Sequence, residues 1–263
     1  MTSAYPITLT DEQYALLEPL LPPPAPCGRP RSVSLKRVIE AMLYVLITGC
    51  PWRLLPHDYP PSGTVYYYFQ QWTNQGIWKQ IHDALVAFVR RDAGREATAS
   101  AAALDSQSVP TAVMVNREVG FDAAKKIKGR KRFTLVDTLG LVISVQVVAA
   151  STPERQGARQ LLSRLDEERE RVPRLHLIWV DGGFSGVGFI EWVMAMFYWV
   201  LEVVSRPQDA KGFVLLPRRW VVERTYGWLH WCRRLNVDYE RLPCSSESFI
   251  YLAMIRLMLR RLA

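Results

Sequence analysis

Apolar positions along this chain change their spacing once, near residue 100. Upstream they recur at the period of a helix packed on one face. Leu35, Val38, Ile39, Met42, Leu43, Leu46 and Ile47 define a helix over Leu35–Thr48, ended by Gly49 and Pro51. Ahead of it, Thr10-Asp-Glu-Gln13 has the form of a capping box. It opens a short helix through Leu17 that Pro19 and the Pro22–Pro24 cluster stop. After a loop at Cys27–Arg31 and a turn at Pro60-Pro-Ser-Gly63, two more helices are predicted, over Thr64–Trp72 and Ile77–Arg91. An all-helical region with short turns is compatible with a helix-turn-helix arrangement.

Between Asp92 and Ala103 the chain becomes Gly-, Ala-, Ser- and Thr-rich without apolar periodicity, the mark of a boundary. A small helical domain over 1–95, compatible with DNA binding through such an arrangement, and a second domain over 100–263 are therefore expected. Beyond the boundary the pattern is that of strands: Ala102–Val109, then Phe133–Asp137 and Leu141–Ala149 joined as a hairpin at Thr138-Leu-Gly140. A polar helix at Arg155–Arg171, a strand at Leu175–Val180, a helix at Val187–Phe197 and a strand at Trp199–Val204 follow. A short apolar run, Gly212–Leu216, precedes two closing helices, Arg218–Leu235 and Ser246–Leu262. An antiparallel start that gives way to alternating helix and strand predicts an α/β fold, a mixed sheet with helices on both faces. The order resembles a ribonuclease-H-like core, in which the first strand lies beside the fourth, parallel one.

Composition narrows the class. At 263 residues, 49% hydrophobic and 22% charged, the chain can bury a substantial core and reads as soluble and globular. Its four cysteines form no Cys-x-x-Cys pair, which argues against a zinc site or disulfide framework and fits a reducing cytoplasm. No basic-then-apolar leader opens the sequence, and the longest apolar stretch, Trp192–Leu201, is too short to span a bilayer. A cytoplasmic location without membrane contact is the expectation. The net charge of +8 predicts a polyanionic partner, and nearly all of it lies beyond residue 100.

Three carboxylates stand in patterned segments of that basic part. Asp105 in Ala-Leu-Asp-Ser-Gln-Ser-Val and Asp181 in Val-Asp-Gly-Gly-Phe each follow a buried-strand pattern. Glu223 sits on a predicted helix among arginines. Alone, each has an ordinary explanation as a turn acceptor or a surface ion-pair partner. Together they match what a site for two Mg²⁺ (or Mn²⁺) ions needs, namely hard oxygen ligands brought from separate elements. Lys125, Lys126, Lys128, Arg130, Lys131 and Arg132 form a basic run before the second strand, read as a DNA contact rather than a solvated turn. Arg218, Arg219, Arg224, Arg233 and Arg234 surround Glu223 and suit phosphate recognition. Trp220 and Trp228 are assigned to packing, and His176 to a structural place in a buried strand. No Gly-x-Ser-x-Gly elbow or nucleotide loop is present.

Several blocks then carry a family resemblance. Trp220-Val-Val-Glu-Arg-Thr-Tyr-Gly-Trp-Leu229, Arg233-Arg-Leu235 and Asp238-Tyr-Glu240 resemble the carboxy-terminal motif of bacterial insertion-sequence DDE transposases of the fifth numbered family. Leu104–Val109, Gly120–Arg132, Val136–Gly140 and Asp181-Gly-Gly-Phe look like its other blocks, and Gly28–Arg31, Gly49–Asp58 and Thr64–Phe69 extend the similarity upstream. The resemblance implies that Asp105, Asp181 and Glu223 are catalytic metal ligands in a ribonuclease-H-like domain. It also implies action on double-stranded DNA, the element's terminal inverted repeats and a target, by a dimer or larger assembly. Pro110, Ala124, Phe133 and Pro153-Glu154 depart from the family pattern. They motivate a second expectation, an inactivated or repurposed copy that binds DNA without cutting it.

Overall fold

The Thr10 hydroxyl accepts the Gln13 N–H at 3.1 Å, and the Gln13 side chain accepts the Thr10 N–H at 3.3 Å, closing the capping box. In the computed structural model, which describes residues 7–24, 31–204 and 218–263, this box opens α1 (Asp11–Leu17). α2 (Leu35–Thr48), α3 (Ser62–Asn74) and α4 (Ile77–Asp92) follow. The stripe predicted for α2 is buried up to Leu46, with Val38, Met42 and Leu46 fully enclosed, while Ile47 is half-buried and Val45, outside the stripe, is enclosed as well. A tight turn, Gln75–Gly76, joins α3 to α4, whereas a longer segment with a 3-10 turn at Trp52–Leu54 separates α2 from α3.

The second region contains β1 (Ala101–Pro110), β2 (Gly120–Asp122), β3 (Ile127–Asp137) and β4 (Val142–Ala149). Next come α5 (Glu154–Asp166), β5 (Leu177–Val180), α6 (Val187–Phe197) and β6 (Val200–Val203). α7 (Trp220–His230) and α8 (Pro243–Leu262) complete the order. β1, β3 and β4 are antiparallel neighbours, and β5 and β6 run parallel to β1 on its other side. The sheet therefore runs β4-β3-β1-β5-β6, with β2 paired to the start of β3. This is the expected mixed sheet, with the first strand flanked by the parallel fourth strand of the predicted set. The hairpin between β3 and β4 turns at Gly140, whose φ of +80° only glycine adopts without strain.

Each sheet face has its own core. α5 and α6 cover one face, where Leu161, Leu162 and Val193 meet Leu104, Leu135 and Ile178. On the other face Val136, Val145 and Val147 join Val222, Leu229 and the α8 residues Phe249, Ile250 and Met254. That second core is continuous with the buried side chains of α1–α4. α8 is thus enclosed between the sheet and the helical region, which explains why its buried residues are not confined to one stripe.

Two sequence expectations need revision. β2 has no counterpart in the apolar pattern, and β3 starts at Ile127 rather than Phe133, because the basic run disguises a strand whose charged side chains are buried. His176 lies just before β5 and is exposed, not buried in a strand. The run Gly212–Leu216 and the Gly28–Pro30 part of an early motif lie outside the described residues. Among the described residues no helix is long and apolar enough to cross a membrane.

Phe133, one of the departures, has a structural complement. A Cβ added at Gly157 on α5 would lie 2.1 Å from the Phe133 ring, which is fully buried and edge-on to Phe184. Gly157→Ala is expected to cost about 1–3 kcal/mol through overpacking, read as a lowered urea midpoint. Phe133→Leu in the same chain should restore part of the loss; no restoration would locate the strain elsewhere.

Candidate active site

Parallel pairing of β1 with β5 sets Ala103 opposite Trp179. Asp105 and Asp181 each lie two residues further on, Asp105 in the middle of β1 and Asp181 just past the end of β5, so both project from the same side of the adjacent strands. The Oδ2 atoms of Asp105 and Asp181 lie 3.8 and 3.6 Å from one nitrogen, Nη2 of Arg219. Two carboxylates from distant parts of the chain therefore converge on a single positive group. Burial pushes the Asp105 carboxyl up to about 6, and the Asp181 charge adds to the rise. The Ser106 N–H, Arg219 and Lys125 oppose it without cancelling it. An acidic pair in this setting is eased by a cation or by a shared proton.

Local hydrogen bonds orient both aspartates. Asp105 Oδ1 accepts the N–H of Ser106 at 2.7 Å, and Asp181 Oδ1 accepts the N–H of Gly183 at 2.8 Å. The second bond caps the 3-10 turn Gly182–Phe184, which accounts for the Asp-Gly-Gly-Phe spelling. α7 is tied to the same part of the sheet. The Tyr226 hydroxyl donates to the Asp105 carbonyl at 3.1 Å, and Thr225 donates to the Gly140 carbonyl at 2.7 Å. Glu223 lies one turn after Arg219 and just under one turn before Tyr226, so it rides the stretch of helix anchored at both ends over this site.

The structure brings two of the three carboxylates together. Glu223 is exposed, and among the described residues no group of three or more His, Cys, Asp or Glu side chains is arranged to hold a metal ion.

The basic residues divide sharply. Arg130, Lys131, Arg132 and Arg234 are buried and internally bonded, which overturns their reading as DNA contacts. Arg130 donates to the Glu240 carbonyl and pairs with Asp238, Arg132 donates to the Leu235 carbonyl, and Arg234 pairs with Glu240. Lys131 lies between Glu154 at 3.1 Å and Asp122 at 3.6 Å. Lys125, Lys126, Lys128, Arg218 and Arg233 are exposed. Arg218 pairs with Glu202, and Arg224 is held by the Leu139 carbonyl and by the rings of Trp220 and Trp228. Lys125 is aimed at the site by a turn closed on Asp122, whose Oδ1 accepts the N–H groups of Ala124 and Lys125 at 3.1 Å each. Its ammonium reaches the Ser106 carbonyl at 3.1 Å, next to Asp105.

Glu154 stands out in the sequence only as a departure from the family pattern. In the fold it opens α5 beside the Gly183 turn, and its Oε2 is buried without a partner among the described residues. Only its pairing with Lys131 across β3 reveals the position, and no local pattern signals that.

Residues 96–258 match the family model described as "Transposase DDE domain", a span that contains Asp105, Asp181 and Glu223. The chain belongs to the DDE transposases. Residues 9–82 match a second model, described as "Putative transposase of IS4/5 family". The chain is also similar to the "Insertion element IS402 uncharacterized 16.2 kDa protein" of Burkholderia cepacia. The two are 37% identical over 107 residues, which cover 38% of this chain and 71% of that protein. The DDE domain carries a ribonuclease-H-like fold, in agreement with the strand order, and makes this transposase an enzyme acting on DNA.

Proposed function

We propose that this transposase cuts and joins the ends of an insertion sequence at the Asp105–Asp181 pair, with Glu223 completing the acidic set. The observation that carries the reading is the shared cationic group: carboxylates on adjacent parallel strands 3.8 and 3.6 Å from the same guanidinium nitrogen. Hard, converging oxygen donors of this kind fit Mg²⁺ (or Mn²⁺). Asp105, Asp181 and Glu223 would hold two such ions, which when bound supply charge neutralisation at the attacking and leaving oxygens of a phosphoryl displacement.

The chain's own residues position everything else. Tyr226 and the Gly183 N–H keep the two aspartates in place. Lys125, Lys126 and Lys128 stand at the β2–β3 turn where a strand entering the site would pass, and offer charge to its phosphates. The helices of 1–95 serve to recognise the terminal inverted repeats. Strand cleavage leaves a 3′-hydroxyl that the same site directs onto target DNA, with no covalent protein–DNA intermediate. Two ends must meet, so the working form is a dimer or larger on DNA. Pro110 and Phe133 are accommodated in β1 and against Gly157, so neither favours an inactivated copy.

The direct experiment offers purified protein and Mg²⁺ a plasmid carrying the inverted repeats that flank its gene. Nicks at the repeat boundaries that vanish in EDTA are expected. Equal cutting of a plasmid without the repeats would indicate a general nuclease instead. A separate expectation concerns Arg219. Arg219→Gln removes the positive group that neutralises the aspartates, so Mn²⁺ affinity measured by electron paramagnetic resonance should rise. A fall would show that Arg219 holds the carboxylates in place rather than competing for them.

A further inference from the structure

The groove between α7 and α8 is crowded with arginines that form no ion pair among the described residues. Arg256, Arg260 and Arg261 of α8 line it together with Trp228 of α7 and Trp231 at that helix's end. Arg224 adjoins them, since its guanidinium and that of Arg261 both lie over the Trp228 ring, at 4.9 and 4.8 Å. Among the described residues no carboxylate lies within ion-pairing distance of any of these four arginines. They act on one another instead. Burial lowers the Arg261 guanidinium and the charge of Arg224 adds to the fall, only partly offset by Asp137. Burial lowers Arg256, with Cys232 opposing the fall and the Arg260 charge adding to it. Like charges held this close raise the energy of the free protein, and a polyanion relieves them.

We infer that this groove is a seat for the phosphate backbone of duplex DNA. Charge complementarity names the partner, and two further features favour nucleic acid. Trp231 is 74% exposed, leaving an indole face among guanidinium groups, the mixture that takes up sugars and bases as well as phosphates. The groove is also continuous with the site through α7: Arg219 at its start touches Asp105 and Asp181, and Trp231 caps its end. DNA leaving the carboxylates along α7 therefore runs past Arg224 and onto α8. A helix of 11 residues is about 16 Å long. That span covers several phosphates of one strand.

The inference rests on the reading of the chain as a transposase that cuts DNA, and the test separates the two. Fluorescence anisotropy with full-length protein, EDTA and a 30-base-pair mixed-sequence duplex measures binding without cleavage. R260Q/R261Q removes two charges from the exposed last turn of α8, and R117Q/R174Q, also exposed, is the net-charge control. The first variant is expected to bind about tenfold more weakly at moderate salt. Its slope of log K against log salt should be shallower by about two, one released counterion per lost contact. The control should change neither by a comparable amount, and circular dichroism melts should match for all three proteins. Wild-type affinity and slope in R260Q/R261Q would overturn the groove assignment while leaving the cleavage reading intact. Unchanged DNA binding with weakened capture of polyglutamate would give the groove to an acidic protein. Failure of the wild-type chain to bind duplex at all would sink both.

Discussion

Asp105→Asn and Asp181→Asn are each expected to lower cleavage at the element ends by about a thousandfold or more, with little loss of fold. The substitution keeps side-chain volume and removes one negative charge from a site whose work depends on collecting positive charge. Both residues touch the same guanidinium, at 3.8 and 3.6 Å, so they act as one unit. The double variant should accordingly be no worse than either single one, as for residues that share a task. Apo stability should hold or rise in Asp105→Asn, because the neutral amide avoids the desolvated charge that pushes the Asp105 carboxyl up to about 6. A carboxyl raised in this way loses stability as pH climbs through its folded value, so the gain should be largest on the alkaline side. Single-turnover assays on an end-labelled repeat duplex would read the first effect and urea melts the second. Cleavage within tenfold of wild type by either variant would remove that carboxylate from the chemistry.

Arg130→Met is expected to destabilise the whole chain by about 3–5 kcal/mol, the usual cost of stranding a buried partner. Arg130 is fully enclosed. One of its nitrogens serves Asp238 at 3.2 Å, the Glu240 carbonyl at 2.7 Å and Ser246 at 3.2 Å. The other reaches the carbonyls of Arg117 at 2.8 Å and Arg241 at 3.0 Å. Removing the guanidinium leaves Asp238 without its cation and opens the joint between α7 and α8. Arg130→Lys should not rescue, since an ammonium cannot reproduce the planar fork that spans these acceptors. Chemical denaturation followed by tryptophan fluorescence reads the loss. A cost below about 1 kcal/mol would mean that Arg130 is a surface charge after all.

These two predictions mark what local sequence conveys and what it does not. Asp105 and Asp181 are legible because each carboxylate follows a continuous apolar run, and the resemblance of the element order to a ribonuclease-H-like core puts the two strands side by side, although β1 continues past Asp105 to Pro110. The helices Leu35–Thr48 and Val187–Phe197 are legible to the residue, since apolar spacing and the following Gly49 or the end of the run mark their bounds. Arg130, Lys131 and Arg132 mislead for the opposite reason. Charge in a short window reads as surface, and only the arrival of Asp238, Glu240 and Glu154 from elsewhere in the chain buries it. Glu223 is legible as a member of the acidic set but not in its placement, which depends on how α7 leans on Tyr226 and Arg219. The arginines of α8 escape notice because their neighbours on α7 lie some thirty residues away along the chain.

The central claim is that Asp105, Asp181 and Glu223 close on shared divalent cations when the protein holds DNA. Anomalous diffraction from crystals of the transposase bound to a repeat-end duplex and grown in Mn²⁺ measures this directly. The predicted result is a pair of manganese peaks bounded by oxygens of all three side chains, with Arg219 moved off the aspartates. Manganese held elsewhere, or peaks at the two aspartates with Glu223 still facing solvent, would contradict it.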